Sequence, residues 1–110
     1  ALPVVTASRS ELEATDFATF RALANMPAAM SAHVVFSSID DANPASTSAK
    51  ITADIIRGDI GFDGLLMSDD LGMKALSGPM QKRAEAVIRA GSDIALHCNG
   101  DFEEMQAVAD

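Results

Sequence analysis

Several residue types are scarce in this chain, and each shortage excludes a class of protein. Its 110 residues include no tryptophan, no tyrosine and one cysteine, Cys98. A single cysteine cannot form an internal disulfide and is typical of a reducing compartment. Eight lysines and arginines face sixteen acids, so the net charge is −8, whereas a nucleic-acid surface needs a basic patch. No apolar run approaches the roughly 20 residues that cross a bilayer. We therefore expect neither a nucleic-acid nor a membrane partner.

What remains is the composition of a globular α/β protein, with 48% hydrophobic and 22% charged residues. Apolar periodicity and turn residues predict helices over residues 11–25, 49–61, 80–91 and 101–110, and strands over 28–36, 64–69 and 93–98. The strands are spaced like the βα units of a barrel or a doubly wound sheet. Each is apolar throughout, which is typical of a parallel sheet covered on both faces. A (β/α)8 barrel takes about 250 residues, so this chain would hold under half of one.

Local signals predict where the helices begin and which residues they bury. Ser8, with Glu11 three residues later, is a candidate N-cap, and Asp101 is another. Gly61 is the expected C-terminal stop of the helix over 49–61. The residues expected to face inward are Ile51, Ile55 and Ile56 in that helix, and Ala84, Val87 and Ile88 in the helix over 80–91.

Polar side chains follow all three predicted strands at their carboxyl ends, where parallel α/β folds bind ligands. They are Ser31 and His33, then Ser68, Asp69 and Asp70, then His97, Cys98 and Asn99. The same gradient on three strands favours a functional site, although strand ends also meet water in proteins without one.

Two adjacent acids, Asp69 and Asp70, end the segment "GFDGLLMSDDLGM". Successive strand residues point to opposite faces, so the two carboxyls should diverge rather than share a proton. We expect one to face the site and the other to cap or pair with the following loop.

His33 lies in an apolar strand, where a histidine is more often a hydrogen-bonded core residue than a ligand. We therefore expect it to orient neighbours, with direct contact to substrate as the alternative. A metal site built from His33, Asp69, His97 and Cys98 is chemically possible but lacks the spacing of a known motif. Cys98 has no visible base and is expected to pack.

The segment "GFDGLLMSDDLGM" resembles the nucleophile segment of the bacterial β-N-acetylhexosaminidases of glycoside hydrolase family 3. "ALPVV", "MSAHVVF", "DDANPASTS" and "AGSDIALHCN" agree with the same family in order. The resemblance spans residues 1–110. It implies a partial TIM (β/α)8-type barrel of about three βα units with parallel strands, the C-terminal portion of the family's catalytic domain.

The resemblance also implies a function. These cytoplasmic enzymes of cell-wall recycling are retaining glycosidases that remove β-linked N-acetylglucosamine from muropeptides or chitobiose-like saccharides. Asp69 corresponds to the catalytic nucleophile, and members that lack the second acid have alanine at the position of Asp70. No metal or organic cofactor is implied. His33 is the candidate substrate-binding residue of this part of the barrel.

In the family, a loop that precedes "ALPVV" supplies a histidine general acid/base held by an aspartate, and this chain begins after that point. We therefore expect the 110 residues alone to be inactive and, with unpaired edges, to self-associate. Three rival functions remain: another family 3 β-glycosidase such as a β-glucosidase, a receiver-like phospho-acceptor domain, and a non-catalytic α/β module. A receiver would carry its acidic pair on the first strand and a lysine at the end of the last, and neither is present.

Overall fold

Two short parallel sheets lie at the centre of the molecule. In the computed structural model, which describes residues 1–110, β1 (Val4–Val5) pairs with β3 (Val35–Phe36), and β2 (Ala28–Met30) pairs with β4 (Leu65–Met67). Both pairs are parallel, which confirms the predicted α/β class. The strand β1 was not among the predicted elements.

Helices pack beside these sheets and supply half of the buried apolar residues. They are α1 (Arg9–Ala14), α2 (Asp16–Arg21), a 3-10 helix (Ala45–Thr47), a π-helix (Ile51–Asp59), α3 (Met80–Arg89) and α4 (Phe102–Ala109). The caps predicted for two of them are confirmed. The backbone N–H of Glu11 donates to Ser8 Oγ over 3.2 Å, and that of Glu104 donates to Asp101 Oδ1 over 3.0 Å. No helix is long and apolar enough to cross a membrane.

The single helix predicted over 11–25 is wrong: the structure has two six-residue helices that meet at Thr15. Thr15 has a non-helical backbone, and its hydroxyl donates to the carbonyl of Glu11 over 2.8 Å. A threonine hydroxyl that bonds back to the preceding turn competes with the helical pattern. The break lets Leu12 and Phe17 enter the same apolar cluster from two directions.

The single strand predicted over 28–36 is also wrong, because β2 and β3 belong to different sheets. Between them the carbonyls of Ala32 and Val34 accept hydrogen bonds from the backbone of Ser46 and Ala45, over 3.0 and 2.8 Å. After β2 the chain therefore leaves β4 and turns toward the 3-10 helix. These pairings join residues 14 and 11 positions apart in sequence, which apolar periodicity does not reveal.

The third predicted strand, over 93–98, is reduced to one bridge between Ile94 and Met67. The segment still runs beside the extension of β4. The N–H of Ser68 donates to Ile94 O over 2.9 Å and that of Leu71 to Leu96 O over 2.8 Å. Between them the N–H of Leu96 donates to the Ser68 hydroxyl over 3.1 Å. A side chain replaces a backbone partner here, so the ladder is irregular.

The helix predicted over 49–61 is present but wound as a π-helix. The N–H of Ile60 donates to the carbonyl of Ile55, five residues earlier, over 2.8 Å. Gly61 then takes a positive φ of 77°, which confirms it as the stop. Ile51 and Ile55 are buried as predicted, and Ile56 is partly buried.

Two apolar clusters hold the helices against the sheets. The first joins α1, α2 and the π-helix, and its buried members are Leu12, Phe17, Ile39, Ala45, Ile51 and Ile55. The second joins α3 to the chain after β4, and its buried members are Leu71, Leu76, Ala84 and Val87. Of the residues predicted inward in α3, Ala84 and Val87 are buried but Ile88 is exposed.

The expectation that the sheet is covered on both faces is wrong for the structure as it stands. Ala28, Met30 and Leu65 are exposed, whereas Leu66 and Ser68 on the opposite face are buried against the helices. The helices therefore cover one face of the β2–β4 sheet and leave the other open.

Candidate active site

Asp69 and Asp70 lie two and three residues beyond the end of β4, and each carboxylate accepts a different backbone N–H. The strand ends at Met67 and the chain bends at Asp69, so the alternation that would send the two carboxyls to opposite faces does not extend to them. Asp70 Oδ1 accepts the N–H of Gly72 over 3.0 Å, which closes a turn. Asp69 Oδ1 accepts the N–H of Asp70 over 2.8 Å.

Neither carboxylate of this pair forms an ion pair, since every salt bridge of the structure lies elsewhere. Both acids are only half-buried, so both carboxylates stay in contact with solvent at the carboxyl end of β4.

His33 is buried beneath this pair, with 2% of the residue exposed. Its Nε2 lies 2.8 Å from the backbone oxygen of Asp70, and its Nδ1 lies 2.6 Å from Ser46 Oγ. Both ring nitrogens are occupied within the protein. The arrangement fits the expected orienting role and leaves no nitrogen for a sugar hydroxyl.

The third segment brings Cys98 and Asn99 close to the acids. Cys98 is exposed, so the expectation that it packs is wrong. Desolvation raises the pKa of its thiol, and the adjacent charge and hydrogen bond of Asp70 and the charge of Asp69 raise it further. A thiol held protonated in this way is a poor nucleophile.

His97 makes a separate contact with α4. Its Nε2 donates to Glu104 Oε2 over 2.6 Å, and Asn99 Nδ2 donates to the same oxygen over 2.8 Å. The hydrogen bonds from His97 and Asn99 lower the pKa of Glu104. This cluster fixes the loop at the end of the third segment against the start of α4.

The polar residues predicted from the three strand ends therefore converge, although only one of the three segments that carry them is a regular strand at that point. Comparison with known proteins shows which family this chain belongs to. The model of the glycosyl hydrolase family 3 N-terminal domain matches residues 1–110. The chain belongs to glycoside hydrolase family 3.

Curated relatives agree with the family 3 assignment. A β-hexosaminidase of Alkalilimnicola ehrlichii is 42% identical over 102 residues, covering 89% of this chain and 29% of the relative. One from Neisseria meningitidis serogroup C is 44% identical over 102 residues, covering 89% of this chain and 28% of the relative. The chain thus spans less than a third of the length of these relatives.

Solved structures of family 3 proteins share the fold. A β-N-acetylglucosaminidase from a Paenibacillus species has a TM-score of 0.86 at 31% identity, over 97% of this chain and 21% of that protein. Native NagZ from Neisseria gonorrhoeae has a TM-score of 0.82 at 40% identity, over 99% of this chain and 30% of that protein.

Two site residues of this family 3 chain were missed by sequence reasoning. Ser46 lies in a loop rich in turn formers, where nothing local indicates that it contacts His33 from 13 residues away. Glu104 does carry a signal, because Asp101 and Glu104 have capping-box spacing at the start of α4.

The metal site considered from the sequence does not assemble. No group of three or more histidine, cysteine, aspartate or glutamate side chains lies close enough to hold a metal ion. His33 and His97, the strongest candidate ligands of that set, are bonded to Ser46 and Glu104 instead.

Proposed function

We propose that this chain is part of a retaining β-N-acetylglucosaminidase in which Asp69 is the nucleophile. The names of the curated relatives and of the solved neighbours support this class of substrate. The proposal includes the finer expectations stated from the sequence: a closed (β/α)8 barrel in the whole protein, of which residues 1–110 form the C-terminal part, muropeptide-derived substrates and a cytoplasmic location.

The observation that carries the proposal is the different situation of the two acids. The carboxylate of Asp70 closes a turn on Gly72 and is also hydrogen-bonded to the Cys98 thiol. The carboxylate of Asp69 has one hydrogen-bond partner, the N–H of Asp70. A nucleophile must approach the anomeric carbon to about 3–3.5 Å along a defined line, and Asp69 has fewer protein contacts to give up for that approach.

The mechanism then follows the two-step pattern of retaining glycosidases. The free oxygen of Asp69 attacks the anomeric carbon, the bond to the leaving oxygen breaks, and a covalent glycosyl-enzyme forms. Water then attacks the same carbon and releases Asp69 as a carboxylate. The leaving oxygen needs a proton in the first step, and the attacking water must lose one in the second.

The two histidines of this chain are poorly placed for that proton transfer. His33 is buried with both nitrogens bonded, and His97 is bonded to Glu104. The proposal therefore assigns the acid/base role to the histidine that the family resemblance implies, on a segment of the whole protein outside these 110 residues.

The test compares Asp69→Ala with Asp70→Asn in the full-length protein. With an aryl N-acetyl-β-glucosaminide, Asp69→Ala should lower kcat by about 10³-fold or more, because no covalent intermediate can form. Asp70→Asn keeps the shape of the turn and should cost far less. A slow 5-fluoro N-acetylglucosaminide should label the wild-type peptide on Asp69, which mass spectrometry can locate.

Two results would contradict the proposal. A label on Asp70, or an Asp69→Ala protein that keeps most of its kcat, would reassign the nucleophile. Faster cleavage of aryl β-glucosides than of the 2-acetamido substrates would instead favour the β-glucosidase alternative while leaving Asp69 in place.

A further inference from the structure

A chain of hydrogen bonds, buried at Ser46 and His33 and partly buried at Asp70, connects the 3-10 helix to the carboxylate of Asp69. Ser46 Oγ lies 2.6 Å from His33 Nδ1, and His33 Nε2 lies 2.8 Å from the carbonyl oxygen of Asp70. The N–H of Asp70 in turn donates to Asp69 Oδ1 over 2.8 Å. We propose that Ser46 is a positioning residue for the nucleophile and acts through His33 and the backbone of Asp70. This inference rests on the proposed function of Asp69.

The direction of each hydrogen bond follows from the chemistry of the partners. A carbonyl oxygen only accepts, so His33 Nε2 must carry the hydrogen that it donates to Asp70. In a neutral imidazole the other nitrogen is then an acceptor, and the Ser46 hydroxyl donates to Nδ1. The Asp70 carbonyl therefore selects the tautomer of His33, and the Ser46 hydroxyl holds the ring in the orientation in which Nε2 reaches that carbonyl.

The backbone around Asp70 is fixed by this contact. Its carbonyl accepts from His33 and, over 3.2 Å, from the N–H of Met73. The N–H of Leu71 on the same peptide donates to the carbonyl of Leu96 over 2.8 Å. Because hydrogen bonds hold both sides of the peptide between Asp70 and Leu71, the N–H of Asp70 just before it keeps its direction toward the carboxylate of Asp69.

Burial makes the Ser46–His33 pair strong. Both residues are buried, with Ser46 at 1% exposure, and the N–H of Ser46 is itself bonded to the carbonyl of Ala32 over 3.0 Å. Hydrogen bonds in such a setting are strengthened, and a partner left without one cannot turn to water instead. Removal of the hydroxyl would leave Nδ1 of His33 unpaired and remove the contact that fixes the ring beside the Asp70 carbonyl.

The reaction rate at the anomeric carbon depends on how accurately the Asp69 carboxylate is positioned. A misplacement of about 1 Å, caused by a change remote from the reacting atoms, can cost about 10²-fold in rate. We therefore expect Ser46→Ala in the full-length protein to lower kcat by about 10- to 100-fold, with KM changed less than about 3-fold.

Ser48→Ala is the matched control. Ser48 is an equally buried serine two residues away, and its hydroxyl donates to Asp40 over 2.7 Å and accepts the N–H of Ile51 over 3.0 Å. Both variants lose a buried hydroxyl and should lose stability. Only Ser46→Ala should lose kcat per active site, with sites counted by titration with the 5-fluoro inactivator so that unfolded protein does not contribute. An unchanged kcat per site in Ser46→Ala, or an equal loss in Ser48→Ala, overturns the inference.

A measurement on the unmodified full-length protein tests the tautomer directly. The ¹⁵N spectrum of labelled histidine distinguishes a ring nitrogen that carries hydrogen from one that does not, and His33→Gln assigns the signals. We expect hydrogen on Nε2 and none on Nδ1. Hydrogen on Nδ1, alone or together with Nε2, would show that the Ser46 hydroxyl does not donate to His33 as the inference requires, and would overturn it even if no Ser46 variant folds.

The proposed function can fail separately. Azide should restore turnover to Asp69→Gly by taking the place of the missing carboxylate and yielding a glycosyl azide. If azide restores nothing and Asp69→Gly keeps wild-type turnover, the nucleophile assignment is wrong. If azide restores turnover but Ser46→Ala behaves like the wild type, Asp69 stays the nucleophile and only the positioning role of Ser46 is lost.

Discussion

Leu65 and Leu66 are neighbours on β4, and replacing each with alanine tests whether the open face of the sheet is covered in the whole protein. Leu66 is 1% exposed, whereas Leu65 is 44% exposed and lies on the opposite face of the strand. In a closed barrel that face lines the interior, which is filled with packed side chains. The half-exposed Leu65 should then be as important for stability as Leu66.

The expected free energies can be worked out from these exposures. Leucine to alanine removes three carbons, worth about 2.4 kcal/mol at ~0.8 kcal/mol for each buried carbon. Leu66→Ala adds a cavity and should destabilise by about 3–4 kcal/mol. With 44% of Leu65 exposed, a little over half of the transfer value applies, so an uncovered face predicts about 1.4 kcal/mol for Leu65→Ala. A covered face predicts about 3 kcal/mol or more.

The assay is urea unfolding of the full-length protein and the two variants, followed by far-UV circular dichroism. The barrel proposal predicts that the two losses in the free energy of unfolding agree within about 1 kcal/mol. A loss near 1.4 kcal/mol for Leu65→Ala, beside about 3–4 kcal/mol for Leu66→Ala, would show that nothing covers this face. The closed-barrel proposal would then be refuted.

Two further predictions concern protons. The hydrogen bond from the Ser48 hydroxyl is the main cause that lowers the pKa of Asp40. Ionised Asp40 therefore stabilises the folded state fully above the ordinary carboxyl pKa, and this stabilisation is lost as pH falls through the pKa of Asp40 in the folded state. Asp40→Asn should therefore flatten the decline of the unfolding midpoint below about pH 4, and an unchanged slope would contradict the assignment. Desolvation and Asp70 raise the pKa of Cys98. Asp70→Asn should therefore speed alkylation of Cys98 by iodoacetamide at pH 8, with the rate measured by mass spectrometry of the Cys98 peptide. An equal rate in both proteins would count against Asp70 as a cause of the raised pKa.

The features predicted well from the sequence are those decided within a few residues. The Ser8 and Asp101 caps depend on a side chain and an N–H three positions later, and both form. The order of helices and strands and the parallel class depend on short apolar patterns, and most of that order is present.

The features missed depend on partners far away in sequence. The strand over 28–36 is divided because Ala45 and Ser46 take the carbonyls of Val34 and Ala32. The segment over 93–98 is irregular because the Ser68 hydroxyl takes the N–H of Leu96. Neither contact leaves a periodic signal, since a turn-rich loop and a small polar residue in a strand are compatible with many pairings.

Side chains that take the place of backbone partners recur around β4. The carboxylate of Asp93 accepts the N–H of Leu66 over 2.8 Å, and this bond is the main cause that lowers the pKa of Asp93. Arg57 donates to Asp93 over 3.0 Å and to the carbonyl of Gly64 over 2.7 Å, so it joins the start of β4 to the third segment. These bonds hold the amino end of the strand.

Ser68 and His33 hold the carboxyl end of β4 in the same manner. A strand of three residues fixed by side chains at both ends needs no long ladder to define its direction. The two acids that follow it can therefore stay half-exposed, at no large desolvation cost, while side chains hold the backbone beneath them. A solvated carboxylate on a backbone held in this way is what the proposed nucleophile Asp69 requires, so the site does not need regular strands.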